Sequence, residues 1–228
     1  MADICALYQE APTRAERGER IVSTDELTGV QALERKHSGL PLAPGRVERR
    51  EFEYLRHGTR AFILSRDVLS GQVVAPTGGP TRTEADFLAH VQGVVATDRT
   101  VCRWHVVVDN LDTHRSASLV RWVAAESGLA DLDLGEKGKR GILATLQTRA
   151  AFLSQPEHRI VFHYTPKHSS WLNQIEIWLS ILVRTLLRRG SFTSVQDLRD
   201  QVLAFIAYYN RTMAKPFKWT YQGKALAI

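Results

Sequence analysis

The run Trp104-His105-Val106-Val107-Val108, closed by Asp109, is the feature that most limits how this chain can fold. Its apolar, β-branched residues are continuous, not alternating. A strand of that kind is covered on both faces, so it belongs inside a sheet flanked by helices. Asp109 then stands at the carboxyl edge of the sheet, where the ligand chemistry of α/β folds gathers. The pair Asp109-Asn110 also reads as ordinary turn chemistry, and this segment alone leaves both readings open.

The flanking elements extend the argument. Residues 1–18 read as a polar lead-in or linker remnant, punctuated by Pro12 and Gly18, with a short helical turn around Ala6-Leu7-Tyr8. Ile21–Thr24 and Gly29–Leu33 are two short strand candidates, and a basic, Pro/Gly-rich loop runs from Lys36 to Arg50. Glu51–Leu55, Ala61–Ser65 and Gly71–Ala75 read as extended, at spacings that favour antiparallel hairpins. The period then turns helical. Thr83 and Asp86 make a capping box, and Phe87, Val91, Val94 and Val95 share an apolar face. Beyond Asp109, residues 114–127 read as a helix with Asp112 as its N-cap. Residues 131–158 form an irregular, basic, Gly-rich segment with a helical stretch near Ile142–Leu153. Ile160–Tyr164 is a further strand. Two helices follow, at about 170–189 and 194–213, the second opened by Thr193 and Gln196. Antiparallel strands first and β-α-β units afterwards predict an α/β fold: a mixed sheet, antiparallel in its first three strands and then parallel, with helices on both faces.

Charge narrows the partners. Lys plus Arg exceed Asp plus Glu by 30 to 24, a net +6 that favours polyanions, although many soluble proteins are as basic. No apolar run approaches the roughly 18–20 residues of a membrane span, which predicts no membrane partner. The start of the chain has no secretory pattern. Cys5 and Cys102 are distant in sequence and make neither a disulfide framework nor a zinc site, which points to a reducing, cytoplasmic setting.

Two further acids join Asp109. The segment Trp171–Val183 is apolar almost all round, as a buried helix would be, yet it carries Glu176. A buried carboxylate needs a cation or an ion-pair partner such as an Arg, and both remain open here. Asn173, Glu176, Ser180 and Arg184 fall near one polar stripe. Asp25 follows the first strand with Glu26 beside it, and locally the two read as well as surface acids. Two Asp and one Glu converging from two strands and a helix would suit the hard cations Mg²⁺ or Mn²⁺.

Three stretches carry a family resemblance. They are S-T-D-E-L-T-G-V-Q-A-L-E-R-K-H around Asp25, V-V-V-D-N-L-D-T-H around Asp109, and Y-T-P-K-H-S-S-W-L-N-Q-I-E-I-W around Glu176. Together with the tail R-R-G-S-F-T-S-V-Q-D-L and Y-Y-N-R-T-M-A-K-P-F-K-W-T-Y, they resemble the bacterial insertion-sequence branch of the Tc/mariner transposases over about residues 20–226. The resemblance implies an RNase H-like catalytic domain over residues 19–228 and a DDE triad of Asp25, Asp109 and Glu176. It also implies two Mg²⁺ or Mn²⁺ ions and cleavage and strand transfer of DNA, with transposon ends and target as partners. A homodimer on paired ends and a nucleoid-associated bacterial location follow from it too. Leu27 departs from a frequent Lys of that branch and Asp112 from a frequent Asn. The long interval between Asp109 and Glu176 is ascribed to a basic insertion at about 131–158. Only 24 residues precede Asp25, so the helix-turn-helix region usual upstream is expected in a separate subunit or a missing N-terminal domain. An inactive remnant that only binds DNA or a partner, and a different RNase H-like nuclease, are the alternatives.

Supporting roles near the triad fall to Asn173, His114 and His168. Lys167-His168-Ser169-Ser170 precedes the Glu176 helix, where backbone N–H groups could hold a phosphate or Ser169 or Ser170 could cap the helix. Candidate DNA-backbone contacts are Arg46, Arg49, Arg50, Lys137, Lys139, Arg140, Lys167, Arg188 and Arg189. Tyr208, Tyr209, Phe217 and Trp219 could stack on bases, with core packing the competing reading.

Overall fold

In the computed structural model, which describes residues 1–221 except Ser38 and Arg50, the strands are β1 (Glu19–Arg35), β2 (Tyr54–Asp67), β3 (Val73–Gly79), β4 (Arg103–Val108) and β5 (Ile160–Tyr164). They form one sheet in the order β3-β2-β1-β4-β5. The β1–β2 and β2–β3 pairs are antiparallel, and the β1–β4 and β4–β5 pairs are parallel. This is the mixed sheet expected from the order of hairpins and crossovers.

Two segments read as separate strands, Ile21–Thr24 and Gly29–Leu33, are one strand of 17 residues. The pairing with β2 shifts register between Leu27 and Val30 and again between Gln31 and Leu33. Gly29, at φ +65°, absorbs the first irregularity, so the strand continues through what looks like a break. Ala61–Ser65 lies within β2, which takes in only Tyr54 and Leu55 of the expected Glu51–Leu55 stretch. Between β1 and β2 the chain makes an exposed excursion, bridged at Leu40–Arg49 and Ala43–Arg46.

One face of the sheet is covered by α3 (Glu84–Ala96), α4 (Ala117–Glu126) and α5 (Leu146–Leu153), which bury Phe87, Val91, Leu119, Val123 and Phe152 against Val22, Val106, Val108 and Phe162. The Thr83–Asp86 capping box is present as expected. Asp112 does not cap a helix. It opens a 3₁₀ turn, Asp112–Arg115, and Ser116 caps α4 by accepting from Leu119 N–H. Within the basic 131–158 segment, α5 is shorter than expected and starts at a Thr145–Thr148 capping box.

The opposite face carries α6 (Gln174–Leu182), α7 (Val195–Thr212) and an N-terminal pair, α1 (Ala2–Gln9) and α2 (Ala11–Glu16). The sequence suggested only a helical turn in that first stretch. The reason for two helices is a narrow apolar stripe: Ile4, Leu7, Tyr8 and Ala11 are buried against Ile21, Val68 and Val107. Tyr8 also donates to the Leu172 carbonyl at 3.0 Å, which ties α1 to the approach of α6. The cap of α7 falls one residue later than expected, on Ser194 with Asp197 as its N3 partner.

The chain after α7 is held by Arg66 of β2. This fully buried guanidinium donates to Gln174 Oε1 and to the Lys215 carbonyl, each at 2.8 Å, and lies 3.6 Å from the Phe217 ring centroid. Gly71, at φ +76°, lets the same tail pass, because a Cβ there would stand 2.1 Å from the Lys215 carbonyl oxygen. Tyr209 packs edge-on against Trp178 at 5.8 Å and Trp219 against Tyr8 at 5.1 Å. Three of the four tail aromatics are thus engaged in packing, and Tyr208 is half exposed. Arg66→Ala is expected to destabilise the protein by roughly 3 kcal/mol, from two lost hydrogen bonds to a charged donor. A lower urea midpoint with an unchanged slope would show it, and an unmoved midpoint would refute the clasp.

Candidate active site

Parallel pairing brings Asp25 and Asp109 to neighbouring strand ends. The β1–β4 register runs from Glu19 opposite Arg103 to Ser23 opposite Val107. The same offset carries Asp25 opposite Asp109. Strand alternation turns Asp25 to the α6 face, since its antiparallel partner Leu64 belongs to the α6–α7 core, and sends Glu26, opposite Ile63, to the other face.

A polar clamp holds the start of α6 on β1. The buried Ser23 hydroxyl donates to Asn173 Oδ1 and accepts from the Ile175 N–H at 2.8 Å. Asn173 Nδ2 donates to the Thr24 carbonyl at 2.9 Å and to Asp25 Oδ2 at 3.3 Å. Asn173, not Ser169 or Ser170, is the N-cap residue of α6, and its side chain is committed to β1. Glu176 therefore projects from the first turn of a helix whose position is set by β1. The segment is less buried than its composition suggests: Trp171, in a 3₁₀ turn before α6, and Ile177 are exposed. Glu176 makes no ion pair among the described residues, so the alternative of a buried Glu–Arg pair is not what this helix contains.

The electrostatics couple the three acids. Burial, together with the negative charges of Asp109, Glu176 and Glu26, pushes the Asp25 carboxyl up to about 7. Asp109 behaves oppositely. Burial works against its charge, but His114 and the Leu111 N–H hold it below the usual carboxylate range. His114 Nδ1 lies 2.8 Å from Asp109 Oδ1 and Nε2 lies 3.0 Å from Glu26 Oε1. Burial alone would lower that imidazole, yet the two carboxylates raise it to about 9. His114 is thus a fully buried bridge, placed by the 3₁₀ turn that follows Asp109.

A cavity of about 410 Å³ opens beside these groups, lined by Glu26, Leu27, Glu176, Leu179, Ser180, Val183, Arg184 and Arg188. A π-helical turn, Val183–Leu187, continues α6 and carries Arg184 into its wall. Sequence reading placed Arg184 on a polar stripe and Arg188 among the DNA contacts. It did not foresee Glu26 as a partner of His114 or Ser23 as the anchor of α6. An acid directly after Asp25 on a strand, facing the opposite side, was the available signal for the first.

The remaining candidates are dispersed. Among the described residues, His168 is exposed at φ +60° and makes no hydrogen bond to the acids. Arg46 and Arg49 are exposed on the β1–β2 excursion, and Lys167 and Arg189 are exposed around α6. Lys137 is exposed, whereas Lys139 and Arg140 are paired with Glu136 and Asp133 at 2.6 and 2.7 Å. Arg50 lies outside the described residues. No helix among the described residues is long and apolar enough to cross a membrane.

Among the described residues, no three His, Cys, Asp or Glu side chains are gathered closely enough to hold a metal ion. The donor set nevertheless fits a hard divalent cation. Carboxylate oxygens are the donors such a cation takes, and Asp25 feels the charges of Asp109 and Glu176 in addition to the burial that chiefly raises it.

Comparison with known proteins identifies the family and the fold. The family model of the DDE superfamily endonucleases matches residues 20–199, which include Asp25, Asp109 and Glu176. Among solved structures, the chain resembles the Mos1 mariner paired-end complex with Mn, with TM-score 0.54 and 13% identity over 91% of this chain and 54% of that one. It also resembles the Mos1 strand transfer complex (TM-score 0.53, 15% identity, 90% and 52%) and the Mos1 transposase paired-end complex with left transposon end (0.52, 14%, 90% and 53%). The chain spans about half the length of those transposase chains. No curated protein matches it in sequence. At these identities the structural likeness speaks for the fold, an RNase H-like mixed sheet, and the family match speaks for descent: the chain belongs to the DDE superfamily endonucleases.

Proposed function

We propose that this chain is the catalytic region of a DNA transposase that cuts DNA strands and transfers them with the help of divalent cations. The observation that supports the reading is that β1 and β4 bring Asp25 and Asp109 to neighbouring strand ends, with the charges of Asp109 and Glu176 adding to burial in raising the Asp25 carboxyl. In this reading Asp25 and Asp109 hold cations from adjacent strand ends and Glu176 completes the set from α6. Asn173 orients Asp25, and the Leu111 N–H holds Asp109 Oδ1 at 3.0 Å. Arg184 and Arg188, on the cavity wall beside Glu176, seat the phosphate backbone. When bound, two Mg²⁺ or Mn²⁺ ions supply Lewis-acid activation of water or a 3′-hydroxyl and stabilise the leaving oxygen. No covalent intermediate with a protein side chain is required. The solved neighbours that support this reading are paired-end and strand-transfer complexes, and by analogy two subunits act on paired ends.

The test is incubation of the purified chain with supercoiled plasmid. Nicked circles are expected with Mn²⁺ or Mg²⁺ and not with EDTA. DNA binding should weaken steeply between about 50 and 200 mM salt, as phosphate contacts require. A folded chain that leaves the plasmid intact in Mn²⁺ would overturn the proposal.

A further inference from the structure

Behind the three acids lies a second polar construction that the cleavage reading does not use. His114 is fully buried with its ring 4.2 Å from that of Phe87, in the core beneath α3 and α4. Its two nitrogens face oxygens of two carboxylates, Asp109 at 2.8 Å and Glu26 at 3.0 Å. Each ring nitrogen is thus within hydrogen-bond distance of a carboxylate oxygen from a different strand end. The Glu26 side chain is 3% exposed and that of Asp109 is 39% exposed, so one end of the bridge is sealed and the other opens towards the sheet edge. Because strand alternation sends Glu26 and Asp25 to opposite faces of β1, the bridge links the rear of β1 to the tip of β4 across the carboxyl edge.

We propose that the Glu26–His114 pair is a positioning device for Asp109. It occupies Asp109 Oδ1 together with the Leu111 N–H and leaves Oδ2 as the oxygen presented to a cation. It also ties up Glu26, so the Asp25-Glu26 doublet contributes one cation ligand and not two. Glu26 anchors the ring and the ring orients the carboxylate. The inference rests on the reading that Asp109 binds a divalent cation. Outer partners of ligating groups typically alter metal affinity by about 10- to 100-fold.

The test is Mn²⁺ binding to the folded chain without DNA, measured by electron paramagnetic resonance, alongside thermal melting. His114→Ala is expected to weaken Mn²⁺ binding by about 10- to 100-fold. Glu26→Gln should weaken it in the same direction, and the double variant should be no weaker than His114→Ala, because the two act as one unit. Glu26→Gln keeps the side chain's shape and removes the charge that holds the ring, so it decides the matter if His114→Ala fails to fold. A purely structural bridge would lower the melting temperature and leave Mn²⁺ affinity at the wild-type value, and that result would overturn the inference. Asp109→Asn serves as the control. If it abolishes Mn²⁺ binding while the bridge variants do not weaken it, only the bridge proposal fails. If it binds Mn²⁺ like the wild type, the cation-site reading fails with it.

Discussion

Glu176→Gln is expected to lower metal-dependent DNA nicking by roughly a thousand-fold or more, about 4 kcal/mol of lost transition-state stabilisation, while leaving the fold in place. The hydrogen bonds that pass through Glu176 are made by its backbone: its N–H donates to the Asn173 carbonyl at 3.0 Å, and its carbonyl accepts from the Ser180 hydroxyl at 3.1 Å. Its carboxylate has no ion pair among the described residues. Glutamine keeps the volume and the helix and removes the charge. Melting temperature should therefore change little, whereas a carboxylate whose role is to hold a cation has no neutral substitute. Single-turnover nicking in Mn²⁺ together with a thermal melt reads both quantities. Cleavage retained within about tenfold of wild type would remove Glu176 from the active site.

Asp25→Asn is expected to abolish cleavage and, unusually for an active-site change, to stabilise the cation-free protein at neutral pH by about 2–4 kcal/mol. The native Asp25 carboxyl is raised from 3.8 to about 7. Below pH 4 folded and unfolded chains both hold the proton, and the group contributes nothing. Between pH 4 and 7 the unfolded chain releases the proton while the native chain retains it, so native stability falls as pH rises through that window. Above pH 7 the penalty is constant. Asparagine removes the penalty and keeps an oxygen that can accept the Glu26 N–H, now bonded at 2.8 Å. Melts at pH 4 and pH 8 test this: the variant should match wild type at the lower pH and exceed it at the higher. Added Mg²⁺ should stabilise the wild type and leave the variant nearly unmoved. A variant less stable than wild type at pH 8 would mean that burial and its neighbours' charge do not strain the ionised Asp25. The expectation follows a general pattern in which sites that bury and crowd ionisable groups for function do so at a cost in stability.

Local sequence carried much of this fold because several elements announce themselves through side chains that need no distant partner. The unbroken Val106–Val108 run determined a strand covered on both faces, and Thr83 with Asp86 determined where α3 begins. The order of hairpins and crossovers determined a sheet that is antiparallel first and parallel afterwards. Asp109 was legible as an edge residue because it ends that strand. Glu176 stood out because an acid in so apolar a helix demands an explanation.

Other features were decided by tertiary contacts. Gly29 looked like a strand end until pairing with β2 showed that a bulge carries β1 through it. The N-terminal helices depend on a face of the sheet that residues 1–18 do not encode, and Asn173 became the clamp of α6 only through Ser23, 150 residues away. The bond from Glu26 to His114 spans 88 residues, and no local pattern marks a histidine that will sit between two acids from different strands. Periodicity and capping act within a few residues, so the chain states them openly. Which carboxylates meet, and which oxygen each one leaves free, depends on strand register and on burial, and these exist only once the sheet has closed.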